Sequence, residues 1–131
     1  MYEFHGWFSL AQNPEESDAG QLRSIVEELA ELLGGLRFPT VSAEIKWLNG
    51  ECFLLLNGLA NRRRDEAVAM RGVLEFVTRR LPGSFGLLYE RDDDMPVPPG
   101  PNAFRAQVMV RGAITERLDP FLSPCRPLIE D

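Results

Sequence analysis

Hydrophobic and polar positions alternate along the first ten residues with the period of a β-strand. One face of this strand carries large, mainly apolar side chains, namely Tyr2, Phe4, Phe8 and Leu10. The other face is mixed and carries Glu3, His5, Trp7 and Ser9. The pattern predicts a strand over residues 2–10 with one face in the core and one face only partly covered.

Beyond this strand the period changes to that of an amphipathic helix, with apolar residues three or four positions apart. The apolar stripe contains Leu22, Ile25, Val26, Leu29, Leu32, Leu33 and Leu36. Gly34-Gly35 is a typical helix end. A second helix with the same spacing is predicted from Ala67 to Leu81, and Pro82-Gly83 directly after it is a strong stop signal.

Between the two helices lies the strongest local signal in the chain, Asn49-Gly50 flanked by two β-rich runs. A two-residue turn at this point predicts an antiparallel hairpin over residues 41–56. In that register Trp47 lies opposite Cys52, and the face that they share is apolar. We therefore expect Trp47 to belong to the core.

Two further strands are predicted after the second helix. Phe85–Tyr89 is a short apolar run, which indicates a buried strand, and residues 102–112 alternate between apolar and polar positions. The segment 113–131 contains three prolines and little periodicity. It is predicted to be an extended arm whose apolar side chains need a surface to rest on, and the mixed sheet face could supply it.

These elements follow one another in the order β-α-β-β-α-β-β, with the arm at the end. A chain of 131 residues with this pattern forms one domain over residues 1–131. The predicted fold class is α+β: a single layer of sheet with two helices packed on one face. The element order is ferredoxin-like with an extra strand.

Four carboxylates stand where the Phe85–Tyr89 strand is expected to reach the surface: Glu90, Asp92, Asp93 and Asp94. The proline-rich loop that follows them excludes a helix or a central strand. One interpretation is a solvated loop that resists aggregation. The other is an acidic contact for a basic protein partner. The residues alone leave both open.

Two more positions have a structural and a functional interpretation. Arg62–Arg64 precede the second helix, where cations oppose the macrodipole, so the run with Arg63 at its centre is either a solvated loop or a contact. Trp7, on the mixed face of the first strand, is either an anchor for a partner or packed beneath the C-terminal arm.

The charge balance narrows the range of partners. The formal net charge is −6, which argues against direct binding of nucleic acid and suits a basic protein partner. No stretch approaches the length of a membrane span, and the N-terminal residues lack a signal-peptide pattern, so we expect a cytoplasmic protein. Cys52 and Cys125 are expected to be free thiols.

Candidate catalytic and metal chemistry is sparse. The single histidine, His5, stands beside no nucleophile motif, which favours a structural role over a catalytic one. One histidine and two separated cysteines fit no zinc spacing, and the Asp92–Asp94 run lacks the glycine and the distal glutamate of a calcium loop. The sequence therefore predicts no catalytic residue, no metal site and no cofactor.

Several motifs, taken together, have the character of a family signature. They are His5-Gly6-Trp7, the block Leu81–Tyr89 leading into Asp92-Asp93, Asn102-Ala103-Phe104, and the ending Asp119–Cys125 with Pro127 and Glu130-Asp131. In this order and over nearly the whole chain, they resemble the seventh immunity-protein family of bacterial polymorphic toxin systems.

The resemblance implies a non-enzymatic α+β protein that binds and neutralises a cognate toxin. Such toxins are delivered by contact-dependent or type VI secretion, and many are nucleases, so the acidic loop would fill a basic cleft in place of DNA. A ferredoxin-like domain that binds a small molecule on the face of His5 and Trp7 is the alternative. An enzyme with His5 as its base is a third hypothesis.

Overall fold

A computed structural model describes residues 1–13, 19–61, 65–92 and 103–122. It confirms the α+β class, because the described residues form a six-stranded antiparallel sheet and two helices. The strands are β1 (Tyr2–Leu10), β2 (Val41–Leu48), β3 (Glu51–Ala60), β4 (Phe85–Asp92), β5 (Arg105–Val110) and β6 (Ala113–Leu118). The helices are α1 (Ala19–Gly34) and α2 (Asp65–Arg80). Neither is long and apolar enough to cross a bilayer.

The first strand lies in the interior of the sheet. The strand order is β2-β3-β1-β4-β5-β6, and all neighbours are antiparallel. β1 pairs with β3 on one side and with β4 on the other, so both of its edges are hydrogen-bonded. The four large side chains of its apolar face, Tyr2, Phe4, Phe8 and Leu10, are all buried.

One hydrophobic core joins the sheet to both helices. α1 contributes Ile25, Val26 and Leu29, and α2 contributes Met70, Val73, Leu74 and Val77. These side chains meet the apolar face of β1, including Phe4 and Phe8, which are fully buried. The helices therefore lie on the same face, and the mixed face of β1 is on the other side of the sheet.

The prediction of an arm beginning at residue 113 is wrong for its first six residues. Ala113–Leu118 form β6, which pairs with β5 across a tight turn at Arg111 and Gly112, both of which have positive φ. β6 is an edge strand, and five of its six residues are exposed. Because neither face is consistently buried, the sequence shows no clean alternation there. Residues 123–131 lie outside the described part of the chain.

The hairpin at Asn49-Gly50 is confirmed in its register, with Leu48 opposite Glu51 and Trp47 opposite Cys52. Both turn residues have positive φ, as a type I′ turn requires. The expectation that Trp47 belongs to the core is wrong, because its side chain is 38% exposed. β2 is the edge strand, and the guanidinium of Arg23 lies 4.9 Å from the centre of the indole ring.

Candidate partner-binding surface

We use the term open face for the side of the sheet that points away from α1 and α2. Trp7 lies on it between Leu55 of β3 and Leu87 of β4, its direct cross-strand neighbours. Its indole ring makes an edge-to-face contact with Phe85, with ring centroids 6.3 Å apart. Trp7 is 44% exposed and Phe85 is 50% exposed. A large aromatic pair that stays half exposed is the kind of feature that anchors a protein interface.

The alternative interpretation of Trp7, cover by the C-terminal arm, is not tested by the described residues. Phe121 is 83% exposed, and Leu122 is exposed as well. Asp119 fixes the backbone of this segment, because one of its carboxylate oxygens accepts a hydrogen bond from the Leu122 N–H at 2.5 Å. The remainder of the arm lies outside the described residues.

A cavity of about 560 Å³ adjoins Phe85 at the end of the sheet. It lies between the chain after β1, the turn before β4 and the turn between β5 and β6. Its lining residues include Gln12, Pro82, Phe85, Val110 and Arg111.

Polar side chains form a line across the open face from β3 through β1 to β4. One ring nitrogen of His5 lies 3.0 Å from the side-chain oxygen of Asn57, and the other lies 3.0 Å from a Glu3 carboxylate oxygen. The Arg91 guanidinium donates to the other oxygen of Glu3 at 2.6 Å. Both ring nitrogens of His5 face oxygen acceptors, so both hydrogen bonds form fully only when the imidazole is protonated.

These contacts shift two pKa values in opposite directions. Partial burial alone would lower the pKa of His5, but hydrogen bonds to Glu3 and Asn57 and the charge of Glu3 outweigh it and raise that pKa. Partial burial alone would raise the pKa of Glu3, but hydrogen bonds from His5 and Arg91 outweigh it and lower that pKa. His5 therefore has a structural role, because it links β3 to β1 through Asn57 and Glu3.

The substitution His5→Gln tests this network through pH. A histidine whose folded pKa is raised contributes stability that is fully present below its ordinary pKa of 6.5 and is lost as pH rises through the folded value. The wild-type protein should exceed the variant in free energy of unfolding most at about pH 6 and least at about pH 8. The difference is modest because the imidazole is half exposed. Urea titrations at each pH measure it, and an advantage that grew with pH would contradict the network.

The expectation that Glu90 and Asp92 lie in a surface loop is wrong. β4 continues to Asp92, which pairs with Tyr2 of β1. Glu90 is 2% exposed and Asp92 is 5% exposed. The apolar run in the sequence ends at Tyr89, and charged residues rarely continue a buried strand unless they are paired.

Glu90 points to the helix side of the sheet, where other strands supply its partners. The Tyr2 hydroxyl donates to one carboxylate oxygen at 2.8 Å, and the Gln107 amide donates to the other at 3.0 Å. A guanidinium nitrogen of Arg105 lies 3.6 Å from the latter oxygen, and Arg105 also reaches Glu116 at 3.2 Å. These partners are distant in sequence, so no local signal could have found them.

The substitution Glu90→Gln separates a structural role from a binding role. Glutamine keeps an acceptor for Tyr2 but removes the charge beside Arg105, so the free energy of unfolding should fall by about 1–2 kcal/mol. Affinity for a toxin should not change. Chemical denaturation and a binding titration measure the two effects, with Glu31→Gln on the exposed side of α1 as the control. If Glu90→Gln bound toxin more weakly and kept the wild-type free energy of unfolding, Glu90 would belong to the interface.

Three other candidate residues lie outside the described part of the chain. Asp93 and Asp94 follow β4 directly, and Arg63 lies in the segment before α2. Their contact with a partner stays a prediction. Among the described residues, no three histidine, cysteine, aspartate or glutamate side chains come together in a group that could hold a metal ion.

The described residues form a small α+β protein whose open face carries an exposed aromatic pair, Trp7 and Phe85. A family model described as immunity protein 7 matches residues 1–131, so the chain belongs to that family. This confirms the resemblance found in the sequence, and membership makes the chain an immunity protein for a toxin. No curated protein and no solved structure matches the chain at a significant level.

Proposed function

We propose that this immunity protein neutralises a nuclease toxin, and specifically a DNase, by covering the basic surface with which the toxin binds phosphate. The net charge of −6 supports this class of partner, because complementary charge steers association and disfavours wrong partners. The toxin would be delivered by contact-dependent or type VI secretion. The immunity protein would act in the cytoplasm of the producing cell, where it protects the cell's own DNA.

The exposed Trp7–Phe85 pair on the open face is the observation that carries the proposal. Aromatic side chains that pack into a partner supply most of the affinity of an interface, whereas charges at its rim mainly set the rate and the choice of partner. In this division of roles, Trp7 and Phe85 anchor the complex and Asp93 and Asp94 contribute the acidic rim. Arg63 remains a further proposed contact.

The distance from the Trp7–Phe85 pair to the end of β4 is compatible with a single interface. Phe85 begins β4, and Asp93 follows directly after its last residue, Asp92. A strand of 8 residues spans about 26 Å at about 3.3 Å per residue. A standard interface covers about 800 Å² on each partner, which is roughly 30 Å across. A single toxin can therefore cover the distance from the aromatic pair to the end of β4, after which Asp93 and Asp94 follow in the sequence.

Charge reversal at the acidic loop tests this proposal. The double variant Asp93→Lys/Asp94→Lys should bind the product of the neighbouring toxin gene about tenfold more weakly at low salt and show a flatter dependence on salt. Its melting temperature should not change. Isothermal titration at three salt concentrations measures the affinity.

The matched control is Glu27→Lys/Glu31→Lys, which makes the same change in net charge on the exposed side of α1. The control should bind almost as tightly as the wild type, because α1 lies on the opposite face of the sheet. An equal loss in both variants would show a general effect of net charge. No loss in either would remove the acidic loop from the interface.

A small-molecule-binding role on a ferredoxin-like fold is the second candidate, and the cavity of about 560 Å³ beside Phe85 favours it. The volume is within the range of natural ligand sites. A ligand that raised the melting temperature of the isolated chain, and lost this effect on Val110→Trp substitution in the cavity lining, would support the second function. Toxin binding that survives Val110→Trp would leave the two functions separate.

A further inference from the structure

The outer side of β2 has no strand partner in the described part of the chain. β2 comes first in the strand order, and its last three residues, Lys46, Trp47 and Leu48, are exposed. An edge of this kind presents a row of backbone N–H and C=O groups that can pair with another strand.

The turn at the end of β2 determines which backbone groups point outward. Leu48 and Glu51 close a two-residue turn, so they form a hydrogen-bonded pair, and the even-numbered residues of β2 direct their backbone groups toward β3. The Leu59 N–H donates to the Thr40 carbonyl at 3.1 Å, in agreement with this parity. The odd-numbered residues, with Ile45 at their centre, therefore direct their backbone groups outward.

The side chains of these odd-numbered residues line a groove between β2 and α1. Two adjoining depressions, of about 210 and 290 Å³, run along this seam and share Ala30 and Ile45. One extends to Trp47 and the other to Ala43. A strand added beside β2 would place alternate side chains over the groove, where α1 does not cover the edge of the sheet.

We propose that a second copy of this chain occupies the edge, with the two β2 strands paired antiparallel around a twofold axis at Ile45. In that register Glu44 lies opposite Lys46 of the partner subunit, and Ala43 lies opposite Trp47 of the partner subunit. Ile45 meets its own copy. Opposite charges and a small residue against a large one are favourable cross-strand pairs, and the twofold axis makes each occur twice.

Lys46 is also the type of residue that protects an edge strand from pairing. Within one chain its ammonium group lies 3.5 Å from the Glu44 carboxylate, and both side chains are more than half exposed. In the proposed register the same two charges attract across the dimer axis. The position of the twofold axis therefore determines the effect of Lys46. With the axis at Ile45, Lys46 faces Glu44 of the partner subunit and favours this register.

Charge exchange across the axis tests the proposal on the full-length chain. Sedimentation equilibrium from 1 to 200 µM should show a monomer–dimer equilibrium for the wild type. Lys46→Glu or Glu44→Lys should raise the dimer dissociation constant about tenfold or more, because two like-charged pairs replace two attractive ones. The exchange variant Glu44→Lys/Lys46→Glu restores both pairs and should return the constant to within about threefold of the wild type.

Melting temperatures of the three variants identify any loss of folding. A wild-type chain that stays monomeric throughout, or an exchange variant as weak as the single variants, would overturn the proposal. If the wild-type chain is monomeric and Lys46→Glu lowers its affinity for toxin, the dimer proposal is overturned. The result would instead indicate that a strand of the toxin pairs with β2. Because the dimer does not depend on toxin binding, its failure would leave the proposed function untouched.

Cross-linking tests the register independently. Residues in a hydrogen-bonded antiparallel pair have Cα atoms about 5.5 Å apart, which is within the range for a disulfide. In a Cys125→Ser background, Ile45→Cys should form a covalent dimer on mild oxidation, whereas Leu59→Cys, an exposed position on β3, should not. Equal cross-linking at both positions, or none at Ile45, would contradict the register.

Discussion

Replacement of Gly86 by alanine should destabilise the protein by about 4 kcal/mol or more, the range in which a small domain no longer folds fully. Gly86 has φ +156°, a conformation that other residues rarely adopt. A Cβ atom at this position would lie 2.1 Å from the Trp7 carbonyl oxygen and 2.7 Å from the Phe8 Cα. Both atoms belong to the backbone of β1, so no side-chain rotation relieves the overlap.

The matched control is Gly72→Ala in the interior of α2. An added Cβ there meets nothing within 4 Å, so the substitution should stabilise the protein by about 0.5–1 kcal/mol through helix propensity. Urea denaturation measures both variants, and circular dichroism shows whether the Gly86 variant is folded at all. A Gly86→Ala protein within about 1 kcal/mol of the wild type would contradict the pairing of β4 with β1.

Replacement of Trp7 by alanine should weaken toxin binding by about 2–4 kcal/mol, which is roughly a 30- to 1000-fold increase in Kd. The physical reason is that a toxin side chain or pocket covers the half-exposed indole ring and the adjacent Phe85 in the complex. Stability should change little by comparison, because the ring lies on the open face and outside the core.

Trp47→Ala is the control of the same chemical type. Trp47 is exposed to a similar degree, but it lies on the helix side of the edge strand β2. Toxin affinity should stay within about twofold of the wild type for this variant. Affinity lost at Trp47 and not at Trp7 would assign the interface to the β2 edge, and affinity lost at neither would remove the open face from the interface.

The periodic parts of the chain were predictable because each strand or helix there buries one face. The alternation along β1 placed Trp7 opposite the core, and Asn49-Gly50 fixed the register of the hairpin. These are local rules, since side-chain direction follows from strand pleat and turn geometry. They determine which residues share a face, but they do not determine how much of that face is covered.

The exposure of each sheet face and the hydrogen-bond partners from distant strands could not be predicted from the sequence. Trp47 lies on the predicted face but is exposed, because β2 is at the edge of the sheet. Glu90 is buried because Tyr2, Arg105 and Gln107 converge on it from other strands. Each outcome depends on the order of the strands, which no local pattern encodes.

The block Leu81–Tyr89, one of the motifs that carry the resemblance to the family, makes contacts that are structural. The Ser84 hydroxyl accepts a hydrogen bond from the Ala11 N–H at 3.0 Å, and the Gly83 N–H donates to the Gln12 carbonyl at 2.9 Å. With the close approach of Gly86, these contacts hold the end of β1 against the start of β4. The block therefore fixes the start of β4, and with it Phe85, beside Trp7 on the open face.

We propose that this protein acts by occupying a surface of its toxin and transforms no substrate. Titration of the purified chain into a fixed amount of the neighbouring gene's toxin, with toxin activity as the readout, tests it most directly. Activity should fall linearly to zero at one chain per toxin, and toxin released by denaturation and refolding should regain its activity. Complete inactivation by far less than one chain per toxin, or toxin that remains inactive after release, would contradict the claim.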